Sequence, residues 1–173
     1  MNASKVERYS WEQVLLHWIS AVVILWTLSS GFYVAYAKVD DATHAWVGWV
    51  NVSTTTLFIP IFVLRCVVRM LKSVPASLDR NPRSRLAAHI AHQALYWLTA
   101  LVLLSGVLMM KGAIDVFGWW HIPAPVTDAA WQARWFTVHI ASCFALAAVV
   151  ALHLAAVVLH QSRGHAILRR MWL

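Results

Sequence analysis

Charged residues are scarce in this chain: they make up 12% of its 173 residues, whereas hydrophobic residues make up 61%. That hydrophobic share is well above the share in an ordinary soluble domain. Cysteine occurs only at Cys66 and Cys143, both inside apolar segments, and no C-x-x-C-H motif for covalent haem attachment is present. Repeats and low-complexity tracts are also missing. We therefore interpret the cysteines as inert buried thiols and the chain as a membrane protein.

Four apolar stretches, each close to the roughly 20 residues that a spanning helix needs, predict four transmembrane helices. Their predicted bounds are residues 14–36, 47–71, 87–110 and 135–160. Spans and loops use nearly the whole length, so we predict one domain over residues 1–173, an all-α four-transmembrane-helix bundle. The first apolar run has no small-residue cleavage site, and we expect it to be retained rather than removed as a signal peptide.

Lysine and arginine are distributed unevenly between the two ends of this predicted bundle. Eleven fall on the side that carries both termini and the second loop, and three fall on the opposite side. By the positive-inside rule, both termini are expected to face the cytoplasm of a bacterial cell with the bundle in its inner membrane. The net charge of +7 then reflects orientation rather than nucleic-acid binding. The eleven are Lys5, Arg8, Arg65, Arg69, Lys72, Arg80, Arg83, Arg85, Arg163, Arg169 and Arg170.

Nine histidines in so apolar a chain are informative, because an ionisable side chain at membrane depth is costly and indicates a functional site. His139 and His153 share nearly one face of the fourth span, roughly 21 Å apart along its axis. His17 enters the first span at the bundle end where the fourth span finishes, and so reaches about the depth of His153. We predict that His17 and His153 ligate a haem iron across the bundle. The alternative is a pair of interhelical hydrogen-bonding histidines.

At the other depth, His139 is expected to face the second span, where the partner position holds Asn51, which is not a plausible axial haem ligand. His44 lies two helical turns earlier on almost the same face, about 10 Å nearer the surface. His44 is therefore either a second ligand for the same iron as His139 or an exposed loop histidine. We interpret His139 as a haem ligand.

Four further polar residues are candidates for a functional role. Arg65, deep in the second span, needs an anion, and either a haem propionate supplies it or the side chain extends to the interface. His89 and His92 lie on one face at the start of the third span. They line a quinone site, hydrogen-bond a haem propionate, or contact lipid head groups. His121 in the third loop, beside two tryptophans, is either a docking point for an external electron donor or a plain loop residue.

The motifs together resemble those of the bacterial cytochrome b561 family, the short four-helix membrane proteins that include the superoxide oxidase. Matching elements run in order along nearly the full chain: LLHW, VLRCVVRMLK, AAHIAH with LYW, VFGWWHIP, HIASCFALAAVVALHLAAVVLH and ILRRM. The resemblance implies two b-type haems, one between the first and fourth helices and one between the second and fourth. It places ligands at His17, His139 and His153, and its fourth ligand position falls on Asn51.

Asn51 is therefore a departure from the family pattern, and it leaves three alternatives for the outer haem. The haem is absent, it is bound through His139 alone with an open site, or it is rebuilt around His44. The number of haems is accordingly one or two.

The resemblance implies electron exchange between ubiquinone at the cytoplasmic side and a periplasmic one-electron donor, with superoxide as the suggested substrate and dioxygen as its product. Two other functions stay open. One is a haem-bearing anchor subunit of a hydrogenase- or formate-dehydrogenase-type complex, with a partner protein docked on a membrane face. The other is a histidine-lined transporter for protons or a metal, although few carboxylates lie within the spans.

Overall fold

The computed structural model describes residues 8–73, 75, 81–163 and 168–171. Four long helices dominate this part of the chain: α1 (Trp11–Tyr36), α2 (Asp41–Leu71), α3 (Pro82–Leu108) and α4 (Ala129–Ser162). All four are long and apolar enough to cross a membrane. The predicted four-helix membrane bundle is thereby confirmed. Lys5 and Arg80, which entered the charge comparison, lie outside the described residues.

All four helices begin earlier than the apolar runs do, because polar residues cap their first turns. The Ser10 hydroxyl accepts from the Gln13 N–H while the Gln13 side chain accepts from the Ser10 N–H, a capping box that starts α1 at Trp11 rather than Val14. The Asp40 carboxylate accepts from the Thr43 N–H at 2.8 Å and starts α2. That bond also lowers the pKa of Asp40 below its ordinary value. Asp128 caps α4 in the same way.

The helices pack mainly in two pairs, α1 along α2 and α3 along α4. We call the end where α1 begins and α4 finishes the inner end, and the opposite end the outer end. The buried centre is formed by Phe58 and Phe62 of α2 with Leu103 of α3, and Ile24 and Tyr96 pack against it. Much of the remaining apolar surface is exposed, as expected for helices that face lipid.

A two-stranded antiparallel hairpin covers part of the outer end, where the sequence predicted only a loop. Strand β1 (Ile114–Val116) pairs with β2 (Trp120–Ile122). Its turn places Phe117 and Gly118 at φ values of 51° and 75°, and the Trp119 N–H closes it on the Val116 carbonyl at 3.0 Å. Positive φ at both central residues is typical of a type I′ turn. A strand of three residues is too short for its alternation of apolar and polar side chains to be recognised in the sequence.

Ser53 of α2 holds this hairpin through two hydrogen bonds. Its fully buried hydroxyl donates to the Asp115 carbonyl and accepts from the Phe117 N–H, both at 3.0 Å. The second bond steadies a backbone conformation that bulky residues rarely adopt. The hairpin also buries Ile114 and Val116 against the bundle.

We predict that Ser53→Ala lowers the free energy of unfolding by about 1–3 kcal/mol, because it leaves a part-buried carbonyl and a part-buried N–H without their partner. The measurement is equilibrium unfolding in mixed detergent micelles. Thr137→Ala is the matched control, since the exposed Thr137 hydroxyl bonds only the Ala133 carbonyl of its own helix. The control should change stability by less than about 0.5 kcal/mol. Equal losses in both variants would show that the hairpin does not depend on Ser53.

Candidate functional site

A cavity of about 170 Å³ lies in the inner half of the bundle, and all four helices line it. His17 of α1, Arg65 of α2, Thr99 of α3 and His153 of α4 contribute its polar groups. The rest of the lining is largely apolar, including Ile24, Leu25, Phe62, Leu95, Val150 and Val157. An apolar cavity with a few convergent polar groups is the usual form of a cofactor site.

The C-terminal segment also reaches this cavity. A short 3₁₀ helix, Leu168–Met171, returns to the inner end, and Leu168 joins the lining. The Trp18 indole N–H donates to the Met171 carbonyl at 2.9 Å, which ties the segment to α1.

The two imidazoles that the sequence paired, His17 and His153, are brought to one cavity. His17 lies six residues after Trp11 and His153 nine residues before Ser162, so they lie about 9 Å and 14 Å from the inner ends of their helices. Two imidazoles at similar heights on α1 and α4 can approach one metal centre from opposite sides.

His92 of α3 is the third imidazole in this region. Its ring meets the ring of His153 at a centroid distance of 5.5 Å and an interplanar angle of 65°. His89, one turn earlier and predicted to share its face, is exposed. Both side chains are exposed, and the described ring contact with His153 is made by His92.

Arg65 and Arg69 both stack on the ring of Tyr96, each with its guanidinium carbon 5.0 Å from the ring centroid. The Arg65 guanidinium also donates to Nδ1 of His17 at 3.2 Å. In the described part of the chain the ion pairs are Lys72 with Glu12 and His121 with Asp115, so no carboxylate neutralises either arginine there. Two cations beside an apolar cavity suit a ligand with acidic groups.

The sequence did not single out Tyr96, although its spacing was a usable signal. Tyr96 lies four residues after His92 in α3, and residues at that spacing share a helix face. A tyrosine facing two arginines across a bundle supplies a negative ring face that offsets their charge in an apolar environment.

The Arg65 contact constrains the chemistry of His17. Arginine has no acceptor, so Nδ1 of His17 must accept, and a neutral ring then carries its proton on Nε2. For Nε2 to ligate a metal, that proton must move to Nδ1 and the guanidinium must turn to another acceptor. A carboxylate on the bound cofactor fits that second role for Arg65.

His139, in the outer half, is held against α3. Its Nδ1 lies 3.1 Å from the Val102 carbonyl and 3.2 Å from the Ser105 hydroxyl, which itself donates to the Leu101 carbonyl at 2.6 Å. Nδ1 therefore donates to both oxygens. Nε2 faces the thiol of Cys143 at 3.5 Å.

His17 and His153 line one cavity, but the two candidate partners of His139 on α2, Asn51 and His44, are placed differently. Asn51 is hydrogen-bonded to the Ser30 hydroxyl of α1 at 2.9 Å. His44 falls within the first turn of α2 and is exposed. On α2, the residue ten positions from the outer end, the depth of His139 on α4, is therefore an amide and not an imidazole. His121 lies on the hairpin, exposed, with Nε2 3.6 Å from the Asp115 carboxylate.

Comparison with known proteins agrees with this arrangement. The family model described as prokaryotic cytochrome b561 matches residues 8–173. The chain belongs to that family. It is also similar to cytochrome b561 homolog 2 of Escherichia coli strain K12, with 30% identity over 131 residues, which cover 73% of this chain and 70% of the relative. The family resemblance read from the motifs is confirmed, and membership implies b-type haem and electron transfer in the membrane.

The inner cavity fits b-type haem by the chemistry of its donors. His17 and His153 would supply imidazole ligands, the apolar lining would suit the porphyrin, and Arg65 and Arg69 would pair with its two carboxylates.

We predict that Tyr96→Leu lowers the free energy of unfolding by about 1–2 kcal/mol, because it removes the ring on which both arginines stack. Equilibrium unfolding in mixed detergent micelles measures the change. Tyr96→Phe is the matched control, since it keeps the ring and loses only the hydroxyl. Equal losses in the two variants would rule out the ring face as the stabilising group.

Proposed function

We propose that this chain carries electrons between membrane ubiquinone and a periplasmic one-electron partner through b-type haem, one haem being held by His17 and His153. The observation that carries the proposal is that these two imidazoles, from α1 and α4, line the same cavity in the inner half of the bundle. Membership of the cytochrome b561 family supports b-type haem and electron transfer. The redox partners are our inference.

Ligation by two imidazoles suits electron transfer. His17 and His153 would hold the iron, which would supply one-electron chemistry without exchange of a ligand. The apolar lining would exclude water, and Arg65 and Arg69 would balance the haem carboxylates, so the protein would set the depth and the electrostatic environment of the haem. His92 supports the site by its contact with the ring of His153.

Superoxide is the one-electron donor that we propose for the periplasmic face. Two superoxide anions each release one electron and leave as dioxygen. One ubiquinone takes up these two electrons with two protons from the cytoplasmic side and becomes ubiquinol. His92, in the inner half of α3 with its ring against that of His153, is the residue that we propose as a hydrogen-bond donor to the quinone.

The direction of this transfer depends on the orientation of the bundle, which we propose has both termini in the cytoplasm. The basic residues of the inner end support it, among them Arg69, Arg83 and Arg85 in the described part of the chain. The inner cavity would then open toward the cytoplasm and the hairpin would face the periplasm.

This orientation predicts the activity of alkaline phosphatase fusions, because the phosphatase forms its disulfides only outside the cytoplasm. A fusion after Gly112, at the outer end, should be active, and a fusion to the last residue should be inactive. The activities are read in intact cells and normalised to the amount of each fusion. The reversed pattern would place the termini in the periplasm.

For the haem site, we predict that His153→Ala or His17→Ala lowers the haem-to-protein ratio by about one haem per chain, because a b-type haem depends on its axial imidazoles. The measurement is a pyridine haemochrome assay on the purified full chain, with the reduced absorption bands recorded alongside. His121→Ala is the control, since that imidazole is exposed on the hairpin. An unchanged ratio in both cavity variants would reject the proposed site.

A further inference from the structure

We propose that the Thr99 hydroxyl is a cofactor-binding group of the inner cavity and donates a hydrogen bond to the same haem carboxylate that Arg65 holds. The inference rests on the proposed function, which supplies the haem. It adds a hydrogen-bond donor from α3, which contributes neither of the two axial imidazoles.

Five hydroxyl side chains are buried in the described part of the chain, and four of them donate to a main-chain carbonyl. Three of these four bond the carbonyl one turn back in their own helix, and the fourth bonds the hairpin. The four are Ser20, Ser105, Ser142 and Ser53. The fifth is Thr99, which is 4% exposed and whose hydroxyl has no hydrogen-bond partner among the described residues.

This missing partner needs an explanation, because a threonine inside a helix can donate to the carbonyl one turn back. Thr27 and Thr55 do so, at 2.9 Å and 2.7 Å. A buried hydroxyl without an acceptor has lost its water and gained nothing in exchange. Thr99 lines the inner cavity, so a group bound in that cavity is where its acceptor is expected.

Thr99 and Arg65 are both associated with the ring of Tyr96. Arg65 stacks on that ring, with its guanidinium carbon 5.0 Å from the ring centroid. Thr99 follows Tyr96 by three residues in α3, a spacing that places the two side chains on one face of the helix. Arg65 and Thr99 also line the same cavity. One group bound beside Tyr96 would therefore meet both donors.

The chemistry of the two donors favours a carboxylate as that group. Arginine has N–H donors and no acceptor, and in the described part of the chain Arg65 donates to the neutral ring of His17 instead of to a carboxylate. Once Nε2 of His17 ligates a metal, Nδ1 carries the proton and no longer accepts from Arg65. A carboxylate has two accepting oxygens, one for the guanidinium and one for the Thr99 hydroxyl.

The test measures the affinity of the full chain for haem and for haem dimethyl ester, after the resident haem has been extracted in detergent. The ester keeps the iron and the ring but has no charged carboxylate. Thr99→Val replaces the hydroxyl by a methyl group, and we expect it to weaken haem binding about 10–100-fold, because a hydrogen bond to a charged group is lost. It should weaken ester binding by a smaller factor, since a neutral ester accepts a weaker hydrogen bond. Equal losses for haem and ester would overturn the inference.

Two control variants separate the hydroxyl from side-chain shape. Thr99→Ser keeps the hydroxyl and should keep the haem affinity. Thr27→Val should leave both affinities unchanged, because the Thr27 hydroxyl donates to the Val23 carbonyl and its side chain is not part of the cavity lining. If Thr99→Ser loses as much haem affinity as Thr99→Val, the hydroxyl is not the binding group and the inference fails.

Combining Thr99→Val with Arg65→Gln tests whether the two donors share one carboxylate. The double variant should lose less haem affinity than the product of the two single losses, because each substitution already weakens the hold on the same group. Single losses that multiply would show that Thr99 and Arg65 act on separate groups, which would contradict the shared site.

Haem binding itself separates failure of this inference from failure of the proposed function. A chain that binds no haem would overturn both. A chain that binds haem, loses it in His153→Ala and retains full affinity in Thr99→Val would leave the proposed function standing and overturn the inference.

Discussion

Polar side chains inside a membrane bundle must find partners within the protein, because hydrocarbon offers none. Hydroxyl groups meet this constraint within their own helix: Ser20 and Thr27 of α1 donate to the Leu16 and Val23 carbonyls one turn back. An imidazole ring is held away from its own helix backbone and must reach a neighbour. His17, His139 and His153 consequently lie where helices meet, and the candidate sites of this protein follow from that requirement.

The two halves of the bundle meet the constraint in different ways. In the inner half the imidazoles of His17 and His153 face one cavity, and Arg65 and Arg69 rest on Tyr96 beside it. In the outer half the imidazole of His139 is oriented by hydrogen bonds to the Val102 carbonyl and the Ser105 hydroxyl of α3. The inner half therefore directs two imidazoles into one cavity, whereas the outer half holds its imidazole against a neighbouring helix.

The hairpin connects the outer half to the rest of the fold through α2. Ser53, which holds the hairpin, lies two residues after Asn51, so the segment of α2 that presents the amide is also the segment that carries the outer cover. The outer surface of the hairpin bears Trp119 and Trp120, both well exposed. Amphipathic aromatic rings of this kind favour the boundary between lipid and water.

Much of this protein is determined by local sequence. Apolar runs specify the four spans, and the constant rise of a helix puts His17 and His153 at similar heights before any packing is known. The family motifs are equally local. The rotation of each helix about its own axis is not determined locally, because it depends on how the surfaces of all four helices pack together. Only the tertiary structure decides that the ring of His92 meets that of His153, that Tyr96 lies under two arginines, and that Val102 and Ser105 orient His139.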